Sequence, residues 1–246
     1  MDISRDDRVR MERTHVLAWP ALNTRIVDGW LWRSSGGGSQ RANSVSTVDF
    51  HGTDVDTSVA KAEAHYRALN QPARFQVFDE TSPMGLGDAL RLRGYTESEP
   101  TTTMFKRVDP SGPVPDVETR DHAWPEWRGV YLGEITESRR EVNALVLDRI
   151  PTPRAFFGCR RNGEIIATAL CVASFGCAVI ECVATRTDRR RQGAAQSVLT
   201  ALEAWAAQQD TDWIGLQVVT SNTPAVTLYQ RLGFVAGATN TFFIKN

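Results

Sequence analysis

The chain has 246 residues, with 28 Lys and Arg against 29 Asp and Glu, and 41% of its residues are hydrophobic. That is ample material for a buried core and, with a net charge of −1, argues against a disordered tail. No global field of either sign is present to draw nucleic acid or a membrane surface, so neither is expected as a partner.

The first six residues hold no apolar run that would serve as a signal peptide. In the first half, residues 28–34 and 45–50 read as strands around the loop Gly36-Gly37-Gly38-Ser39. That loop lacks the Gly-Lys-Ser/Thr ending of a phosphate loop and precedes no helix, so it reads as a flexible hairpin loop. A helix over 56–70, a strand over 74–78, a short helix over 85–93 ending in Gly94-Tyr95, and a strand over 101–106 follow. The Pro- and Gly-rich stretch 108–116 cannot continue a helix or a central strand, and it reads as a linker between residues 1–108 and 116–246.

The second half begins with two helices, over 124–132 and 136–150. The second carries Val142, Leu145, Val146 and Ile150 at helical spacing. A strand over 155–160, a turn at Arg161-Asn162-Gly163 and a returning strand over 165–173 come next. Residues 165–180 are uncharged but contain Ser174-Phe175-Gly176, so two buried strands fit better than a membrane span. A strand over 178–184, a helix over 193–209, a strand over 213–219, a helix over 223–232 and a strand over 241–245 complete the chain. Hairpins followed by a strand-helix-strand crossover predict an α/β (α+β) fold with a mixed sheet and helices on both faces.

The two halves end in the same order: helix, strand, helix closed by Gly and an aromatic, strand. Leu90 to Tyr95 and Tyr229 to Phe234 occupy equivalent places, which suggests an internal duplication. The four cysteines, Cys159, Cys171, Cys177 and Cys182, form no Cys-x-x-Cys. Free thiols in a cytoplasmic protein are expected, without disulfides or a metal.

The chemistry is concentrated after the strand over 178–184. A buried strand runs into a basic loop, Arg186 to Gln192, and the loop opens a helix at Gly193-Ala194-Ala195. The first amides of a helix have no intrahelical partner and carry partial positive charge. Small residues keep the approach to them clear, which suits a pyrophosphate. Arg190 and Arg191 can add charge.

Arg190-x-x-Gly193-x-Ala195 after a strand resembles the acetyl-CoA signature of the GCN5-related N-acetyltransferase (GNAT) family. Leu228-Tyr229-Gln230-Arg231-Leu232-Gly233-Phe234 is similar to the family's other recurring motif, at the family's spacing. The resemblance covers residues 116–246 and implies a tandem GNAT-like fold, each lobe a mixed, mostly antiparallel twisted sheet flanked by helices. It further implies a splayed parallel strand pair in the C-terminal lobe, formed by 179–184 and 213–219.

Acetyl-CoA would then serve as co-substrate, an amine-bearing small molecule or peptide would be the acceptor, and no metal would be needed. Amides near Val183 and Ala184, with Thr185, would bind the pantetheine and polarise the thioester. Arg190, Arg191, Gln192, Gly193, Ala194, Ala195 and Gln196 would hold the pyrophosphate. Asn222 matches a cofactor-contacting position, or caps a helix. Tyr229 matches the general acid, with a helix start expected to lower its pKa.

Glu181 is the candidate base, the only acid in an apolar strand. Burial is expected to raise its pKa, and alternation puts it on the face of Val179 and Val183. Gln217 stands near where many members carry a carboxylate, a departure that leaves water as an alternative base. Gly29-Trp30-Leu31-Trp32-Arg33 and Arg41-Ala42-Asn43-Ser44-Val45 resemble a signature of actinobacterial two-lobed GNAT proteins. The N-terminal half resembles a degenerate copy, with acids over 51–57 that would repel a pyrophosphate. Trp124-Pro125-Glu126-Trp127 either lines the acceptor pocket or packs against the sheet, and a cleft between the lobes is a plausible acceptor site. A non-catalytic CoA-binding module is the alternative function; oligomeric state is open, a homodimer included.

Overall fold

The computed structural model describes residues 2–79, 82–109 and 113–246; residues 110–112 of the expected linker lie outside them. The chain opens with a helix absent from the sequence reading, α1 (Arg5–Ala18). Ser4 caps it: its hydroxyl accepts from the Asp7 amide at 3.1 Å, and the Asp7 carboxylate accepts from the Ser4 amide at 3.0 Å. The hairpin β1 (Asn23–Val27) and β2 (Trp30–Ser34) turns through Asp28 and Gly29, both at positive φ. β3 (Val45–Ser46) is shorter than expected, and α2 (Val55–Ala68), β4 (Ala73–Phe78), α3 (Leu86–Leu92), β5 (Thr96–Glu97) and β6 (Thr101–Arg107) follow.

The second half adds β7 (Glu118–Arg120), α4 (Pro125–Gly133), α5 (Glu137–Leu147), β8 (Arg154–Arg161), β9 (Glu164–Ser174) and β10 (Cys177–Thr185). It closes with α6 (Ala194–Ala207), β11 (Trp213–Val219), α7 (Thr223–Arg231) and β12 (Val235–Lys245). The uncharged stretch 165–180 forms the β9–β10 hairpin, turning through Phe175 and Gly176 at positive φ. Among the described residues no helix is long and apolar enough to cross a membrane.

The twelve strands of the described residues join one sheet, in the order β1-β2-β3-β4-β12-β6-β11-β10-β9-β8-β7, with β5 beside β12. Among the described residues only β3–β4 and β10–β11 are parallel. The last strand of each half pairs with the other half: β6 lies against β11, and β12 against β4. β6 and β12 then pair with each other at the centre. α3 and α7 end alike. Gly94 and Gly233 take positive φ, and the next amides, of Tyr95 and Phe234, donate to Leu90 and Tyr229 carbonyls at 3.1 and 3.0 Å.

Two apolar layers clothe the second half of the sheet. Val179, Trp213 and Phe105 face α1, α4 and α5, while Ile180, Ile214 and Leu216 face α6 and α7. Trp124 and Trp127 are buried in the first layer, and the Trp127 indole donates to the Phe157 carbonyl at 2.9 Å. Burying an indole body while satisfying its N–H makes it a core anchor, so this segment packs against the sheet.

Candidate active site

β10 and β11 pair only through Cys177↔Trp213, Ala178↔Ile214 and Val179↔Gly215. Beyond that they run on without pairing to one another, each held by its outer neighbour. β9 holds β10 as far as Thr185, and β6 holds β11 as far as Val219. The result is a wedge-shaped gap whose walls are strand edges with unshared backbone groups.

A bulge lies in the β10 wall. Glu181 opposes Leu170 and Ala184 opposes Thr168, so β10 carries one extra residue, and Cys182 takes φ 54°. The bulge corrects the expected alternation. Glu181 stays on the Val179 face, but Val183 turns to the α6 layer while Cys182 and Ala184 pack on the opposite one.

The loop after β10 leads to α6, where Gly193 takes φ 76° and no side chain caps the helix. A Cβ at Gly193 would meet nothing within 4 Å. The glycine is therefore required by its backbone angle, and the approach to the first amides of α6 is open. Gln192, Gly193 and Gln196 are exposed, Ala195 is half-buried and Ala194 is buried.

The loop arginines are not equivalent. Arg186 and Arg189 lie against Asp188 and Glu164, and Arg190 reaches Glu134 at 3.0 Å. Glu134 also accepts from the Thr187 amide and hydroxyl, both at 2.9 Å, which fixes the loop. Arg191 is exposed and has no ion pair among the described residues, so its charge is the one most available to an anion.

α7 begins beyond the β11 wall. Asn222 is exposed and caps it, its side-chain oxygen accepting from the Ala225 amide at 3.4 Å. Tyr229 is 8% exposed, packs edge-on to Phe234 and shares a layer with Val183 and Ala194. Its hydroxyl has no protein partner among the described residues. Burial and the charge of Glu181 push its pKa up to about 12, the reverse of the lowering expected from a helix start.

The expected behaviour of Glu181 is likewise corrected. Burial alone would raise its pKa, but Arg41 grips both carboxylate oxygens, Nη2 at 2.6 Å from Oε2, and holds it at about 2. Such a carboxylate is a poor proton acceptor near neutral pH. His15 lies behind it with Nδ1 3.6 Å from Oε1, too far for a hydrogen bond, and neither ring nitrogen has a hydrogen-bond partner. Burial lowers its pKa below the ordinary value and favours the neutral ring.

A second buried carboxylate, absent from the sequence reading, sits nearby. Glu12 of α1 is 0% exposed and accepts from Thr103 Oγ1 at 2.6 Å and Gln217 Nε2 at 2.8 Å. Burial outweighs these hydrogen bonds and raises its pKa to about 7. Gln217, where a carboxylate was looked for, thus positions one supplied by another helix.

Arg41 is delivered by the N-terminal half. It stands in the short 3-10 turn Arg41–Asn43, its guanidinium 5.7 Å from the centre of the Trp19 ring. The Gly36–Ser39 loop is braced rather than loose. Asn43 accepts from the Ser35 amide at 2.8 Å and donates to the Ser39 carbonyl at 2.9 Å, and Ser39 accepts from the Trp19 indole at 2.8 Å. Arg33, buried beneath, donates to the Ser44 carbonyl and to Gln76, each at 3.0 Å. The Gly29–Arg33 and Arg41–Val45 stretches are therefore one scaffold aimed at Glu181.

A cavity of about 740 Å³ opens beside the gap, bordered by Gln217 of the β11 wall and by Ser39, Arg41, Glu99 and Arg139. Both halves of the chain contribute to it. Among the described residues no group of three or more His, Cys, Asp or Glu is placed to hold a metal ion.

The splayed parallel pair and the open helix N-terminus after a basic loop are the features that the resemblance to the GNAT family leads one to expect. Solved structures share the fold. A GCN5-related N-acetyltransferase from Kribbella flavida aligns over 100% of this chain and 96% of its own, at 17% identity and a TM-score of 0.68. A tandem GNAT protein from the clavulanic acid biosynthesis pathway aligns over 97% and 95%, at 13% identity and a TM-score of 0.67.

The chain belongs to the GNAT acetyltransferase family described as "Probable histone acetyltransferase Rv0428c C-terminal", whose sequence model matches residues 7–241 and so spans both halves. Among curated relatives, "Uncharacterized N-acetyltransferase YobR" of Bacillus subtilis (strain 168) is 26% identical over 98% of this chain and 99% of its own.

Proposed function

We propose that the chain transfers an acetyl group from acetyl-CoA to a primary amine, with the reaction in the gap between β10 and β11. The observation that carries this reading is the opening of the parallel pair after Val179 and Gly215, directly before the Arg190–Ala195 loop. The pyrophosphate fits the open first turn of α6, with Gln192, Gly193, Ala195 and Gln196 around it and Arg191 as its free cation. The pantetheine fits as a surrogate strand along Val183, Ala184 and Thr185. Asn222 flanks it from α7.

The neutral amine attacks the thioester carbon, a C–N bond forms, and the oxygen becomes an oxyanion facing the bulged amides of β10. One such donor is worth ~2.7–4 kcal/mol in related acyl-transfer chemistry. The C–S bond then breaks, and the departing thiolate takes the Tyr229 hydroxyl proton. Glu181 stays ionised through this sequence; burial, helped by that charge, keeps Tyr229 protonated, as an acid must be before it acts. The proton lost by the amine passes to water in the adjoining cavity, and water returns a proton to the Tyr229 phenolate before the next turnover.

The N-terminal half supplies structure rather than a second cofactor site. Its equivalent gap, beyond β3 and β4, is a cavity of about 820 Å³ where four acids, Asp49, Asp79, Asp88 and Glu97, stand against Arg5 and Arg91, and Arg91 is already taken up by Asp88 and Glu97. Four free cysteines, three of them buried, fit a reducing compartment.

Acetyl-CoA is expected to raise the melting temperature of the wild type, since a ligand at a hundredfold excess over its Kd stabilises by ~2.7 kcal/mol. Gly193→Glu, which places a carboxylate at the helix opening, is expected to lose the shift. No shift in folded wild type at millimolar acetyl-CoA contradicts the reading. A shift without CoA release to any amine would favour a binding module, a reading that the locked state of Glu181 keeps in play.

A further inference from the structure

The cavity beside the gap has one cation with no counter-charge. Arg139, in the first turn of α5, makes no ion pair among the described residues, and its Nε is buried without a hydrogen-bond partner. Arg139 thus stands on the cavity wall as a half-buried guanidinium without an ion pair, and such a fork favours a planar carboxylate. The other charges here do not serve. Arg41 is consumed by Glu181, and Glu12 lies behind Gln217 with both oxygens occupied. Glu99, the remaining acid on the wall, is exposed, so solvent screens its repulsion of an anion far more than it screens the half-buried Arg139.

We propose that the acceptor is an amino-acid-sized molecule carrying a carboxylate as well as its primary amine, and that Arg139 binds the carboxylate while the amine faces the gap past Gln217. The proposal rests on the acetyl-transfer reading and names its acceptor class. The cavity of about 740 Å³ leaves ample room for a ligand of this size, and the exposed Ser138 on the same wall adds a neutral donor for a carboxylate.

The test pairs each amino acid with its decarboxylated amine: lysine with cadaverine, ornithine with putrescine, histidine with histamine. CoA release is followed for wild type and Arg139→Gln. Because Arg139 has no structural partner, the variant is expected to fold and to keep its acetyl-CoA melting shift. In wild type, kcat/KM is expected to favour one or more amino acids by roughly 10- to 100-fold. Arg139→Gln is expected to raise KM for them by a similar factor, with kcat little changed and the plain amines unaffected. Equal use of both members of every pair, or equal loss of both in the variant, overturns the proposal.

Calorimetric titration with each of the twenty amino acids keeps the question separate from turnover. Binding that Arg139→Gln weakens at least tenfold supports the site even if no acetyl transfer is found, and no binding overturns it. Loss of the acetyl-CoA melting shift in wild type would instead sink the acetyl-transfer reading.

Discussion

Glu181 and Glu12 are both buried beside the same gap, yet their surroundings drive them in opposite directions. Glu181 has a guanidinium partner and sits at about 2; Glu12 has only neutral donors and sits at about 7. The ordinary value is 4.5. For Glu12 the folded state keeps its proton to higher pH than the unfolded state does. Stability therefore falls as pH rises from about 4.5 to about 7, and the loss is complete above that. The difference corresponds to about 3 kcal/mol. Glu12→Gln, which cannot ionise, is accordingly expected to be more stable than wild type at pH 8 and equal to it at pH 4. Urea unfolding at the two pH values checks this, and a variant weaker at pH 8 would refute it. Glu181 works the other way: its stabilisation is present above about 4.5 and fades as pH falls toward about 2. At this scale the sequence was partly legible. Gly193 and Tyr229 stand in local motifs, whereas the partner of Glu181 lies 140 residues away and no local pattern links them.

Among the elements, those with a regular apolar pattern were readable, β10, α6, β11 and α7 of the site included, whereas α1 and the β10 bulge were not. α6 buries Val198, Leu199, Leu202 and Ala206 at helical spacing, so its apolar stripe announces it. α1 buries Asp7, Glu12, Thr14 and His15 beside Met11 and Ala18, so the face turned inward is largely polar and no stripe exists. Its one signal was Ser4 followed by Asp7, a capping pair. α1 sits so close to the sheet that a Cβ at Gly215 would fall 2.5 Å from Met11 Sδ, an approach invisible before the helix is known. The β10 bulge was equally hidden. Nothing in Ile180-Glu181-Cys182-Val183 marks where an extra residue enters, and a one-residue insertion reverses every side chain beyond it.

At the level of the molecule, the repeated order of helix and strand was legible, but the exchange of last strands was not, because strand partners are chosen by tertiary packing. β6 is clasped between β11 and β12, and β12 between β4 and β6. A cut in the connection should therefore leave the halves bound. A protease site placed at the exposed Val114 is expected to yield two fragments that co-elute as one particle in native chromatography. Separation into two independent monomers would contradict the shared sheet. The exchange also explains how the N-terminal half reaches the candidate site: through it Arg41, Glu12 and the Ser39 wall are held against the C-terminal gap. The measurement that bears most directly on that gap as the reaction centre is kcat for CoA release by Tyr229→Phe with the best acceptor found. A fall of at least ~10²-fold, with the acetyl-CoA melting shift retained, is predicted; an unchanged kcat would contradict Tyr229 as the acid and the gap as the place of acyl transfer.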